Sequence, residues 1–313
     1  MLEIDKEMLA ALAPLGAAMP PEAPAVGDWR TRRANIDGLY GFLAAGASGD
    51  HRDITTMDLS TTSADGHDVP LRLYRPQGDT KALVVYFHGG GLIAGSVDGY
   101  DHVHRRYAAE AGVTVVAVDY RLAPDAPYPA ALEDGVAAVR WASEHVAEHA
   151  PGTAVAVMGD SAGGGLAAAV AVVCRDRGIG PVAAQLLIYP MLDDRTVGTT
   201  PAVEPFLTWS VGDNVTGWTA YLGDAYGTDA VPALAAAART EELAGLPAAY
   251  VEVGQLDLFC VETVAYATRL MGSAVPVHLV VRPGAFHGFD QFAGESHAAR
   301  AAIADRVVFL QHL

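Results

Sequence analysis

Cysteine is nearly absent from this chain, whose 313 residues hold only Cys174 and Cys260. They stand far apart in apolar surroundings. That excludes a disulfide framework, and both are expected to be buried small hydrophobes. Basic residues are scarce as well, with 20 Lys and Arg against 37 Asp and Glu and a formal net charge of −17. Such a surplus repels phosphate backbones and anionic headgroups, so neither a nucleic-acid partner nor a membrane surface is expected. No run reaches the roughly eighteen consecutive apolar residues that a membrane-spanning helix requires. The start, Met1-Leu2-Glu3-Ile4-Asp5-Lys6-Glu7, has no basic segment and no cleavable apolar stretch, and a cytoplasmic location is expected.

Apolar residues make up 51% of the chain and charged residues 18%, the balance of a globular protein with a sizeable core. From residue 83 onward, short β-branched runs alternate with longer amphipathic stretches, which predicts a parallel sheet covered by helices on both faces. The runs are 83–87, 113–118, 154–158, 184–189, 249–253 and 277–281, apolar on both faces as strands buried on both sides should be. Ahead of them, 54–60 and 69–74 flank Ala64-Asp65-Gly66-His67, the turn of an antiparallel pair. Eight strands result. Two segments fall outside this alternation: residues 1–50, helical in pattern but broken by Pro14 and by Pro20-Pro21, and 193–227. The second carries Phe206, Leu207, Trp209, Val215, Trp218, Tyr221 and Leu222 at roughly helical spacing. An insertion there would sit over the carboxyl ends of the strands, where α/β sheets bind ligands.

The chemistry is carried by two glycine-rich motifs. Gly159-Asp160-Ser161-Ala162-Gly163-Gly164 follows an apolar run and precedes a helix of small residues. That context describes a strand-to-helix turn so tight that glycines must flank the serine, whose hydroxyl then stands at a helix N-terminus. His88-Gly89-Gly90-Gly91 also follows an apolar run, and its unobstructed N–H groups suit a developing oxyanion. The expected oxyanion donors are Gly89, Gly90 and Ala162, with His88 anchoring the loop by hydrogen bonding.

A serine hydroxyl needs a base, which this topology places last in the order serine, acid, histidine. Of the late histidines, His278 falls inside a strand, and His297 and His312 belong to the final helix. His287 follows the last strand in Gly284-Ala285-Phe286-His287-Gly288 and is the expected base. Asp257 follows the strand before it and is the expected orienting acid, ahead of Glu262 and Asp290; it could also cap the helix that starts near Val261. His102-x-His104 puts its two rings on different faces of a helix, so no metal pair is expected. Residues 119–129, and Asp160 as a buried hydrogen-bond partner, are expected to be structural.

With Tyr120-Arg121-Leu122-Ala123-Pro124 and His287-Gly288-Phe289 added to the two motifs, the chain resembles the hormone-sensitive-lipase-like branch (bacterial family IV) of α/β-hydrolase carboxylesterases. Leu192-Asp193-Asp194-Arg195 and the 218–223 region look like the heroin-esterase-type acetylesterases. The resemblance runs from about residue 50 to the C-terminus. It implies the α/β-hydrolase fold, a catalytic domain over 51–313, and a helical cap built from 1–50 and the insertion at 193–227. It further implies hydrolysis of short-acyl esters with no cofactor. One departure stands out: where the family carries Asp-Pro-Leu-Arg-Asp-Glu, this chain reads Asp257-Leu258-Phe259-Cys260-Val261-Glu262.

The reading is therefore a serine carboxylesterase acting on a small-molecule ester, with Ser161, Asp257 and His287 as catalytic residues. A small-molecule receptor on the same scaffold would have no need of all three. An acyltransferase or lyase would share the acyl-enzyme chemistry and differ in its product. The last strand could offer an exposed edge for a homodimer.

Overall fold

Each of the eight strands forms within about two residues of the range read from the apolar pattern. In the computed structural model, which describes residues 2–18, 22–47, 51 and 53–313, they are β1 (Thr55–Thr62), β2 (Asp68–Arg75), β3 (Ala82–Phe87), β4 (Thr114–Val118), β5 (Ala154–Asp160), β6 (Val182–Ile188), β7 (Ala248–Gly254) and β8 (Val277–Arg282). Among the described residues they make one sheet, in the order β1-β2-β4-β3-β5-β6-β7-β8. The β1/β2 and β2/β4 pairs are antiparallel and every later pair is parallel. Strands β3 and β4 are buried along their whole length, and β5 and β7 are buried beyond their first residue. Residues 277–281 are not buried on both faces as their apolar run suggested, but form the exposed edge that the last strand could offer. β8 is half exposed because it closes the sheet with a neighbour on one side only.

The helices are α1 (Lys6–Ala18), α2 (Trp29–Gly46), α3 (Asp101–Ala111), α4 (Ala130–His149), α5 (Ala162–Arg177), α6 (Val211–Leu222), α7 (Cys260–Gly272), α8 (Phe289–Phe292) and α9 (His297–Gln311). Helices α4, α5 and α7 bury their apolar faces in one core on one side of the sheet, and α3 and α9 in another on the opposite side. Small residues let α5 approach the strands closely. A Cβ on Gly163 would lie 2.0 Å from the Phe87 carbonyl oxygen, so any side chain there would drive the helix off the sheet.

Two expectations outside the sheet need correction. Helix α1 continues through Pro14 to Ala18, since a proline removes one backbone donor and the turns around it still form. Pro20 and Pro21 lie outside the described residues. In the insertion, the aromatics do not share one helix. Phe206 ends a short turn, Leu207 and Trp209 lie in the irregular segment that follows, and only Val215, Trp218, Tyr221 and Leu222 lie on α6. Ser210 and Asp213 form a reciprocal capping box that starts α6 just after Trp209.

Helix α2 is tied down by two arginines. Buried Arg32 donates to Asp213 on α6 at 2.7 Å and to the Pro24 carbonyl at 2.7 Å. Arg33 reaches the Ile93 carbonyl at 2.5 Å and the Ala123 carbonyl at 2.8 Å. These bonds fix α2 above the carboxyl ends of the strands.

Candidate active site

The carboxyl ends of β3, β5, β7 and β8 deliver the glycine loop, Ser161, Asp257 and His287 to one place. Ser161 occupies the turn between β5 and α5 with φ 55° and ψ −122°, a conformation rare outside glycine that only the surrounding structure can hold. Its Oγ lies 2.9 Å from His287 Nε2. On the other side of the ring, Nδ1 lies 2.8 Å from Asp257 Oδ2. An ionised carboxylate only accepts, so Nδ1 carries the proton and Nε2 is left to accept from the serine hydroxyl. All three residues are buried.

The imidazole is held by packing as well. Tyr189 and Phe259 meet it edge-on, with ring centres 4.9 and 5.1 Å away. Asp257 Oδ1 accepts the Phe259 N–H at 2.9 Å, which fixes the carboxylate from the side away from the ring. Asp257 therefore bonds within the turn ahead of α7 but is not its cap. The helix begins at Cys260, with Phe259 in the N-cap position.

Gly89 is a correction to the expected oxyanion donors. Its N–H donates to the Tyr100 hydroxyl at 3.1 Å and is unavailable to a ligand. The N–H groups of Gly90, Gly91 and Ala162 meet no acceptor among the described residues. Gly90 lines the same cavity as Ser161 and adopts φ +124°, and a Cβ there would lie 2.2 Å from the Ala94 carbonyl oxygen. His88 braces the loop through Nδ1, 2.8 Å from the Gly89 carbonyl, and stacks on Tyr120 at 4.3 Å. Tyr120 in turn donates to the His88 carbonyl at 2.7 Å, so the 119–129 segment supports the glycine loop.

Asp160 is buried and accepts from Tyr100 at 2.7 Å, Tyr86 at 2.9 Å and Gln291 at 3.0 Å. Burial raises its carboxyl to about 6 against the pull of the Tyr100 hydrogen bond. Tyr100, Tyr189 and Gln291 escaped the sequence reading, because none belongs to a motif and their positions follow from packing alone. Asn35, on α2, escaped it too. It lines the catalytic cavity half-buried, and its carboxamide meets no hydrogen-bond partner among the described residues. That cavity, about 310 Å³, runs from Ser161 and His287 between α2 and residues 207–213, with Ile36, Leu207 and Trp209 among its apolar walls.

Glu262 lies away from the triad and secures the root of the insertion. Its Oε1 accepts the N–H groups of Leu192 and Asp193 at 2.7 and 3.1 Å, and its Oε2 accepts from the Thr196 hydroxyl. Burial outweighs these bonds and raises its carboxyl to about 8. A raised carboxyl keeps its proton in the folded state after the unfolded chain has ionised. Stability therefore falls as pH rises from about 4.5 to about 8 and levels off above that. Glu262→Gln keeps an acceptor for both N–H groups and should abolish this part of the slope. Thermal melts of both proteins from pH 5 to 9 should converge at low pH and favour the variant at high pH; parallel curves would refute this role for Glu262.

A mostly parallel eight-stranded sheet, with a serine at a strand-to-helix turn followed in the chain by an acid and then a histidine, defines an α/β hydrolase. The chain belongs to that family, in its hormone-sensitive-lipase-like branch, and the model of the alpha/beta hydrolase fold matches residues 84–291. It is 37% identical to the esterase LipI of Mycobacterium tuberculosis, over 82% of this chain and 83% of that one. It is 36% identical to the ethyl acetate hydrolase of Pseudomonas putida, over 74% of each. Among solved structures, a bacterial heroin esterase superposes with a TM-score of 0.88 at 32% identity, covering 99% of this chain and 97% of the other.

Proposed function

We propose that this chain is a serine carboxylesterase that hydrolyses short-acyl esters through an acyl-serine intermediate. The observation that carries the reading is the hydrogen-bonded line from Ser161 Oγ through the His287 ring to Asp257. His287 Nε2 takes the hydroxyl proton as Oγ attacks the ester carbonyl, and the Gly90, Gly91 and Ala162 N–H groups hold the resulting oxyanion. As the carbon–oxygen bond to the alcohol breaks, the imidazolium returns that proton to the leaving oxygen. Water then gives a proton to Nε2 and adds to the acyl carbon, and the acid leaves as Ser161 regains its proton. Asp257 keeps the ring in one tautomer and stabilises its cation throughout.

Behind Ala162 the interior holds a separate void of only about 10 Å³, walled by Leu92, Met191, Trp218 and Tyr221, so that side of the site offers no room for a long acyl chain. The similarity to an ethyl acetate hydrolase supports the same preference. Hydrolysis of p-nitrophenyl esters from acetyl to palmitoyl should peak at two to four carbons and fall at least about tenfold by eight. A rate that rises toward the long chains would overturn the short-acyl assignment.

We place the cap in residues 1–50 and 193–227, over a catalytic domain at 51–313, and the protein in the cytoplasm. No helix among the described residues is long and apolar enough to cross a membrane. The free edge of β8, with Val281 38% exposed, is the proposed contact of a homodimer. Sedimentation equilibrium should then give twice the 32.6 kDa monomer mass. Val281→Arg or Val281→Pro should restore the monomer, and a wild type that is already monomeric rejects the contact.

A further inference from the structure

A second cavity, about 230 Å³, lies away from Ser161 between α2, α3 and α8. Its apolar walls are Phe42, Leu43, Val103 and Phe292. Its polar face comes from His102 and Arg106, four residues apart on α3 and therefore side by side on one helix face. Both are half-buried, and neither has a hydrogen bond or ion pair to any described residue. The His102 ring turns a buried, unpartnered Nδ1 inward, which leaves Nε2 as its accessible edge. Burial and the neighbouring guanidinium lower this imidazole to about 4, so the ring is neutral at pH 7 and can donate one N–H.

The acidic residues at this cavity make no hydrogen bond or ion pair with Arg106, although the Asp290 charge acts on it from a distance. Asp290 is committed to Arg306 and accepts from Tyr189 at 2.6 Å. The Glu295 carboxylate is 82% exposed at the rim, 3.7 Å from Arg300. An unpaired guanidinium beside a neutral imidazole, backed by aromatic and aliphatic walls, is complementary to an amphipathic anion. The volume is below that of a drug-sized site and suits a small acid.

We infer that this cavity binds a small carboxylate with an apolar tail, its oxygens accepting from the Arg106 guanidinium and from His102 Nε2–H and its tail lying against Phe42 and Phe292. Occupancy there has a path to the catalytic centre. Phe292 lines both cavities, and Gln291, which lines the second one, donates to Asp160 at 3.0 Å and to Tyr100 at 3.1 Å. The site is independent of the esterase reading and can be tested by binding alone.

Hexanoate is the probe, with 1-hexanol and inorganic phosphate as controls, followed by calorimetry on the intact protein. Wild type should bind hexanoate more tightly than either control. Arg106→Gln should weaken that binding by about tenfold or more, the scale of a charge-assisted hydrogen bond, and Arg106→Lys should weaken it less. Because Arg106 makes no hydrogen bond or ion pair among the described residues, Arg106→Lys, which also keeps the charge that acts on Asp290, should keep the wild-type melting temperature, and Arg106→Gln should lower it only slightly. Asn35→Leu, in the catalytic cavity, should leave the affinity unchanged. No binding, equal binding of phosphate, or loss of binding in Asn35→Leu with retention in Arg106→Gln would each overturn the inference, the last by moving the carboxylate to the catalytic pocket.

Discussion

Ser161→Ala should lower kcat by about a millionfold, leaving only the residual catalysis that oxyanion donors and binding supply without a nucleophile. The effect is this large because, among the described residues, the one hydrogen-bond partner of His287 Nε2 is Ser161 Oγ at 2.9 Å. His287→Ala should fall to a similar rate, and the double variant no further, since the two residues act as one unit. Asp257→Asn should lose about ten-thousandfold while keeping the geometry, because an amide that donates to Nδ1 favours the wrong tautomer. Folding should hardly change in Ser161→Ala. Alanine tolerates φ 55° about as poorly as serine does, and a single hydrogen bond to His287 is worth about 1 kcal/mol. Single-turnover assays on variants purified from a host lacking its own esterases, with wild-type melting curves as control, provide the check. Residual turnover above about one part in a thousand would remove Ser161 from its assigned role.

How much of this was legible in the sequence depends on the range of the forces involved. Ser161 could be read because its turn needs glycines within two residues, and Asp257 and His287 because the strand pattern fixes where carboxyl ends fall. All eight strands were visible for the same reason: burial on both faces imposes a local composition. The direction of a single N–H is another matter. Gly89 and Gly90 are chemically identical neighbours in the chain, and only the Tyr100 hydroxyl, eleven residues on at the N-cap of α3, decides which is already taken. Asn35 reaches the cavity because Arg32 and Arg33 moor α2 to distant parts of the chain, a fact no local pattern encodes. The edge at β8 was legible as a possibility, because it is the last strand in the chain, and the order of the whole sheet puts it at the margin. The departure after Asp257 proved harmless to the geometry, because what holds the carboxylate is the Phe259 backbone N–H, which any residue but proline supplies.

The largest effect on stability should come from Arg306→Met. Arg306 is fully buried, donating from Nε to Glu252 at 2.9 Å, from Nη1 to the Tyr107 hydroxyl at 3.1 Å, and also to Asp290. Methionine matches much of its stem, so the change deletes charge more than volume. Glu252 retains Arg282 at 2.6 Å and the Tyr250 hydroxyl at 2.8 Å. Among the described residues Asp290 retains the Tyr189 hydrogen bond and the Arg106 charge, which makes no ion pair with it, and a buried carboxylate stripped of its ion pair typically destabilises by about 3–5 kcal/mol. The pH dependence identifies the cause. In the wild type, burial alone would raise the Asp290 carboxyl, but the Arg306 guanidinium prevails and holds it below its ordinary 3.8. A lowered carboxyl contributes stability that is present above 3.8 and lost as pH falls through its folded value. Without Arg306, burial is left to raise it, the sign reverses, and the variant should lose stability as pH climbs above 3.8. Urea unfolding at pH 5 and pH 8 should therefore show a larger gap between wild type and variant at pH 8, and adding Asp290→Asn to Arg306→Met should narrow it. A gap that ignores pH and is untouched by the second substitution would mean that Arg306 stabilises through packing, and the charged core would have to be reinterpreted as filler.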